Sequence, residues 1–145
     1  LKLKSRSGRD LEQEVLGVAG SDEMPKYKDF RHAVDDAKLK QLARGILSNS
    51  PQTEIARKLF HLVRRHLHKR SDQRLIEFYV AIGSALDVYH GIDMFFKVRG
   101  KIVTLDLTRR VSKTEAKADI LMTAEMIEKD QLDQLGKHIA DIFNT

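Results

Sequence analysis

The sequence predicts a single domain of the α/β class, a small sheet covered by helices. Three observations carry this expectation. Residues 91–108 read GIDMFFKVRGKIVTLDLT, two β-rich stretches around Arg99-Gly100. The stretches 55–67 and 132–143 space their apolar residues as amphipathic helices do. The chain has 145 residues and no cysteine, a length that suits one domain whose core forms by burial alone.

Taken in order, residues 1–25 mix Lys, Arg, Ser, Gly and Asp without sustained periodicity and read as a loosely held arm with a short helix at Asp10 to Leu16. Phe30, Val34, Ala37, Leu42, Ile46 and Leu47 keep helical spacing until Ser48-Asn49-Ser50-Pro51 punctuates it. Ser50 with Pro51 makes a good helix start, because the Ser oxygen accepts orphan N–H groups and Pro has none to lose. Ile55, Leu59, Leu62, Val63 and Leu67 give that helix its apolar stripe and leave the basic residues outside. Ser71 or Asp72 then caps a third helix through Leu75-Ile76-Glu77-Phe78-Tyr79-Val80-Ala81-Ile82, apolar nearly all round and therefore buried. Glu77 is its exception. A carboxylate in such a run costs several kcal/mol to bury unless paired, protonated or cation-bound, so it is expected at a polar opening or on the helix's narrow solvent-facing edge. After the hairpin, residues 109–117 read as loop. Ala118 to Thr123 could be a strand or the start of the last helix, and the short run Ile120-Leu121-Met122 favours a strand. The last helix shows through Leu132, Leu135, Ile139, Ile142 and Phe143.

Composition narrows the function classes. Without cysteine, zinc fingers, thiol catalysis and disulfide scaffolds are excluded. No apolar run approaches the roughly 20 residues that span a bilayer, so no membrane partner and a cytoplasmic location are expected. Leu1 in place of Met is consistent with a fragment. There is no G-x-S-x-G elbow and no phosphate-cradling glycine loop. Formal net charge is +5, unevenly spread. Residues 119–145 hold six acids against two lysines, whereas 57–70 contain Arg57, Lys58, Arg64, Arg65, Lys69 and Arg70 with His61, His66 and His68 interleaved and no acid. Such a segment attracts phosphate, since each neutralised phosphate releases counterions. A solvated helix face accounts for it equally well.

The hairpin's hydrophobic pattern selects a register in which partners sum to 199: Phe96 opposite Val103, Met94 opposite Leu105, Ile92 opposite Leu107. A slip by one residue would set Met94 against Asp106. On the other face Phe95 meets Thr104 and Asp93 meets Asp106. Two carboxylates directly opposite have β-carbons about 4.5–5.5 Å apart and destabilise the pair. A proton on one, a bridging Lys or Arg, or a divalent cation relieves this. Glu77, a third otherwise unexplained acid on the preceding element, favours the cation.

The order of a helix with Glu77, Gly91-Ile92-Asp93 entering one strand, Val103-Thr104-Leu105-Asp106-Leu107-Thr108 in the next, a third strand and a helix resembles the PD-(D/E)xK nuclease superfamily. The resemblance covers roughly residues 72–145, with 30–70 a helical region added before it. It implies a restriction-endonuclease-like mixed sheet core and Mg²⁺- or Mn²⁺-dependent hydrolysis of nucleic-acid phosphodiesters, with DNA the first expectation and RNA the second. By that resemblance Asp93 and Asp106 ligate metal, the Leu107 carbonyl adds a ligand and Glu77 supports the site. Thr108 stands where the family carries its catalytic lysine. A Thr hydroxyl only hydrogen-bonds, whereas Lys orients or deprotonates water and stabilises developing charge. Lys113 and Lys117 in the following loop are the candidate substitutes. Arg57, Lys58, Arg64, Arg65, Lys69 and Arg70 would contact the nucleic-acid backbone, and such enzymes often act as homodimers. A catalytically inactive nucleic-acid-binding or assembly domain on the same scaffold is the alternative that Thr108 motivates.

Overall fold

The computed structural model describes residues 2–4, 6–20, 23–109 and 117–145. Its elements run α1 (Gly8–Leu16), α2 (Phe30–Ala43), α3 (Glu54–His66), α4 (Arg70–Leu75), β1 (Glu77–Val80), α5 (Ala85–His90), β2 (Met94–Val98), β3 (Lys101–Thr108), β4 (Ile120–Thr123), α6 (Ala124–Glu128) and α7 (Leu132–Phe143). The four strands form one mixed sheet in the order β1-β2-β3-β4. β1, β2 and β3 are antiparallel neighbours, and β4 runs parallel to β3.

From Met94 to Val98 the hairpin register is the one the hydrophobic alternation selects; the ladder ends at Met94, so Ile92–Leu107 and Asp93–Asp106 are not ladder pairs, and the Asp93 N–H goes to Leu105 O instead. Met94 faces Leu105, Phe95 faces Thr104 and Phe96 faces Val103. Val98 pairs with Lys101 across a two-residue turn. Arg99 sits there at φ +57, a left-handed conformation unusual for a side chain of its size. Its guanidinium reaches Asp72 Oδ1 at 3.1 Å and Ser71 Oγ at 3.0 Å, contacts that hold the turn.

Both sheet faces are covered. One carries Phe78, Val80, Met94, Phe96, Val103 and Leu105 into a core with Leu11, Val15, Leu59, Phe60, Val63 and Ile139 from α1, α3 and α7. The other places Phe95 against Ala33, Val34 and Ala37 of α2 and Ala85 and Leu86 of α5. α3 and α7 approach so closely that a β-carbon on Gly136 would lie 2.8 Å from Leu62 Cβ. Glycine is what lets the backbones meet there.

Several expectations are corrected. Residues 76–80 are not part of a third helix. α4 stops at Leu75 with Ile76 as its cap, and Glu77-Phe78-Tyr79-Val80 enters the sheet as β1. A short apolar run rich in aromatic and β-branched residues carries no period that separates a buried helix from a buried strand. Here Phe78 and Val80 point into the core, while Glu77 and Tyr79 are half-buried on the other face. Within the N-terminal stretch the expected short helix is present as α1, and Leu3, Leu11, Val15 and Leu16 are buried in the main core, so this part of it is packed rather than loosely held. α3 starts at Glu54 with Thr53 as its cap, accepting from Ala56 N–H at 3.0 Å, rather than at Ser50-Pro51. α4 is entered from Lys69 without a side-chain cap, so neither Ser71 nor Asp72 caps it. α2 ends at Ala43, and Leu42 and Leu47, expected in its apolar stripe, stand 70% and 65% exposed.

The outer edge of β1 is guarded. The buried Gln41 side chain donates to Phe78 O at 2.9 Å and accepts from Val80 N–H at 2.7 Å, and Phe78 N–H donates to Ser48 O at 2.7 Å. An edge strand so occupied offers no template for pairing with another chain. Among the described residues, no helix is long and apolar enough to cross a membrane.

Candidate functional site

Asp93 lies one step beyond the β1–β2 ladder, just after α5. Gly91 closes α5 at φ +67 with its N–H on Asp87 O and Leu86 O, a left-handed cap that glycine adopts without strain. The chain then enters the sheet at Asp93, whose N–H donates to Leu105 O at 2.9 Å and whose carbonyl accepts from Ala81 N–H at 2.7 Å. The backbone of Asp93 is thus fixed from both sides, and its carboxylate accepts the Leu107 N–H at 2.7 Å.

Around it gather acids from other elements. Asp106 of β3, also buried, hydrogen-bonds to the Asp93 carboxyl, as does Asp87 of α5. Asp87 Oδ2 also accepts from Gly83 N–H at 2.9 Å. Glu12 reaches in from α1, and carboxylate oxygens of Glu12, Asp87 and Asp93 lie within 4.8 Å of one another. α1 is amphipathic. Leu11, Val15 and Leu16 anchor it in the core, Gly17 ends it at φ +78, and the Thr53 hydroxyl ties Val15 O to the start of α3. Those contacts fix Glu12 over the end of the sheet.

The electrostatics follow from this crowding. Burial, then the nearby Asp87 charge and the hydrogen bonds to Asp106 and Asp87, push the Asp93 carboxyl up to about 9, against the lowering effect of the Leu107 N–H. Burial and the Asp87 charge raise Glu12 to about 7, only partly offset by the Gly20 N–H and by Arg9. Like charges confined in a low-dielectric site cannot all ionise. Oxygen donors alone make a hard ligand set of the kind that suits Mg²⁺, Mn²⁺ or Ca²⁺ and not the thiolate-seeking metals.

The residues expected from sequence distribute unevenly. Asp93 and Asp106 come together. Leu107 enters the site through its N–H. Glu77 does not: it lies opposite Lys97 at the start of β1, whereas Asp93 lies past the Val80–Met94 pair at the other end. There Glu77 accepts the Tyr79 hydroxyl at 2.6 Å and meets Lys97 Nζ at 3.7 Å. Lys117 runs past Gly91, where an added β-carbon would touch Lys117 Cδ at 3.9 Å. Lys113 lies outside the described residues. On α3, Arg57 donates to Gln52 O at 2.8 Å, Lys58 pairs with Asp130 at 3.2 Å, and Arg64 and Arg65 are exposed. The expected basic helix does not run on to Arg70, since α3 ends at His66 and the exposed Lys69 and Arg70 belong to the start of α4.

Sequence reasoning missed Glu12 and Asp87. Glu12 sits between Asp10 and Glu14 in a segment with no strong period, and Asp87 lies in a helix of six residues. Nothing local marks either one. They become neighbours of Asp93 only through packing. Fold and site together define a three-layered α/β domain with a carboxyl cluster at one end of its sheet, in which Asp93 and Asp106 are buried and Glu12 and Asp87 half-buried. Comparison of the chain with protein-family models, with curated proteins and with solved structures returned no match.

Proposed function

We propose that this chain is a divalent-cation-dependent phosphodiester hydrolase acting on nucleic acid, on a restriction-endonuclease-like core. The observation that carries the reading is the convergence of Glu12 of α1 and Asp87 of α5, both half-buried, on the buried Asp93 at the entry to β2, with Asp106 of β3 hydrogen-bonded to Asp93. Such a set is costly to ionise without a cation, and the backbone around Asp93 holds it in place nonetheless. Glu12, Asp87, Asp93 and Asp106 would hold Mg²⁺ or Mn²⁺, which when bound neutralises phosphate charge and lowers the pKa of water. Lys117, whose stem passes Gly91, supplies the amine that Thr108 lacks. The exposed Arg64, Arg65, Lys69 and Arg70 neutralise backbone phosphates away from the reacting bond.

The test is cleavage of end-labelled DNA and RNA, single- and double-stranded, with Mg²⁺ or Mn²⁺ against EDTA. Asp93→Asn keeps an acceptor for the Leu107 N–H but removes the charge. It is expected to cut the rate by about a thousandfold, the order that several kcal/mol of lost charge stabilisation implies. Steeply salt-dependent binding with no cleavage under any of these conditions would overturn the hydrolase reading and leave an inactive binding domain, the reading that Thr108 favours.

A further inference from the structure

The segment leading into α2 reads Pro25-Lys26-Tyr27-Lys28-Asp29-Phe30-Arg31-His32, with basic and aromatic side chains interleaved and one acid, Asp29, which caps α2. Tyr27 is 66% exposed and Phe30 44%. Rings of this size bring a large burial gain when covered, so two exposed rings that share a contact with His90 call for an occupant. They are also held in place. Tyr27 packs edge-on against Tyr89 with centroids 5.3 Å apart and lies tilted against His90 at 6.0 Å. Phe30 meets His90 edge-on at 5.9 Å. Beneath them, Tyr89 Oη donates to Pro25 O at 2.7 Å and His90 Nε2 lies 2.8 Å from Lys28 O. The ordering cost of these rings is met before any ligand arrives.

Charge and position narrow the occupant. Lys26 and Arg31 are exposed beside the rings, Lys28 pairs with Asp36 at 3.1 Å, and Asp29, the acid between the rings, is turned to His32, whose N–H and Nδ1 lie 3.0 and 2.7 Å from its carboxylate. Tyr89 and His90 belong to α5, the same short helix that carries Asp87 to the carboxyl cluster. Residues three apart on a helix have β-carbons about 5–6 Å apart, so the His90 end of the platform adjoins Asp87. Exposed rings alternating with cations are what single-stranded nucleic acid engages, because every unpaired base offers a π-face and every linkage a phosphate. In a duplex those faces are covered by neighbouring base pairs.

We propose that Tyr27 and Phe30, seated on His90, form a stacking platform for unpaired bases and lead a single strand toward the Glu12–Asp87–Asp93 cluster. The platform stands on its own observations, and only the delivery to the cluster rests on the hydrolase reading.

Binding by the full chain in EDTA, where cation-dependent cleavage is silent, tests the platform. Labelled oligo-thymidylate, oligo-uridylate and a matching duplex are followed by fluorescence anisotropy. The single strands bind more tightly than the duplex, and the stronger of the two tells DNA from RNA. Tyr27→Leu and Phe30→Leu each weaken single-strand binding by roughly 5- to 150-fold, the range of one lost base–ring stack, and leave duplex binding unchanged. Both sites are exposed, and a melting temperature equal to the parent's verifies the fold. The chain has no tryptophan, so Tyr27→Trp adds a single reporter whose emission the bound strand quenches. Parent-like binding by the leucine variants, or emission that shifts on phosphatidylserine vesicles and not on either oligonucleotide, overturns the platform. Cleavage that persists alongside that result leaves the hydrolase reading standing. Intact single-strand binding without cleavage does the reverse.

Discussion

Glu77 and Asp93 stand on the same sheet face at opposite ends, and their surroundings differ in kind. Glu77 meets a donor on each side: the Tyr79 hydroxyl at 2.6 Å, Ser48 Oγ at 3.5 Å and Lys97 Nζ at 3.7 Å. Burial and the Glu77 charge in turn push the Tyr79 hydroxyl up to about 12, so it stays a proton donor. Asp93 meets one backbone N–H and then other carboxyls. The first arrangement is complete as it stands. The second crowds acceptors together, which is why the Asp93 and Glu12 carboxyls are raised, and it is the site where the proposed cation would bind. Among the described residues, Lys97 stands beside Glu77, whereas the partners of the Asp93 carboxyl are a backbone N–H and other carboxyls.

The largest expected effect comes from breaking the acidic end. Glu12→Gln and Asp87→Asn each remove one oxygen charge from the cluster while keeping the side-chain shape. Each is expected to lower Mg²⁺-dependent cleavage by about a hundredfold or more, whereas Glu77→Gln should change it less than about twofold. Steady-state cleavage of one labelled substrate by the three variants decides the matter. If Glu77→Gln proved as damaging as Glu12→Gln, the two ends would not be separate in function.

An intermediate effect lies in stability against pH. Asp93 is raised to about 9 and Glu12 to about 7, while unfolded carboxyls titrate near 4. Between those limits the folded chain holds protons that the unfolded chain has released, so its stability falls as pH rises. The contribution is complete below about pH 4 and is lost as pH climbs through 7 and then 9. In EDTA the melting temperature should therefore drop from pH 5 to pH 9 more steeply for the parent than for Asp93→Asn, and Mg²⁺ should restore it most at the alkaline end. Equal slopes for parent and variant would mean that the Asp93 carboxyl is not held protonated.

What the sequence made legible and what it hid divide on the same line. The approach of Asp93 to Asp106 was readable because hairpin register is local: Met94, Phe96, Val103 and Leu105 reach one face in a single alignment only, although the ladder stops at Met94–Leu105 and the two acids meet through their side chains. The exposed cations of α3 were readable too, since Ile55, Leu59 and Val63 fix which side faces in. Glu77 was misplaced because its run is apolar on both sides of the carboxylate, and strand or helix is then decided by what covers the second face, here α2 and α5. Glu12 and Asp87 were invisible for a related reason. Their approach to Asp93 depends on how α1 and α5 dock at the end of the sheet, and docking leaves no period. Leu42 and Leu47 show the converse, since helical spacing continued past the point where the core stopped.

The smallest effect concerns the matched end and measures how complete its match is. Glu77→Gln leaves an amide oxygen for the Tyr79 hydroxyl but takes away the charge that faces Lys97. The Lys97 contact, at 3.7 Å between half-buried groups, is long for a hydrogen bond, so its share is that of a partly screened ion pair, about 0.5 kcal/mol. Replacing a charged acceptor by a neutral one at 2.6 Å from Tyr79 costs about 1 kcal/mol more. Urea denaturation should thus place Glu77→Gln about 1–1.5 kcal/mol below the parent at neutral pH, with an unchanged m-value. Asp93→Asn in the same buffer without cation should instead gain stability, because it removes one of several carboxyls that crowd together. Opposite signs for two acid-to-amide changes on one sheet face would separate a carboxylate held for the fold from one held against it, and a loss of stability in both would erase the distinction.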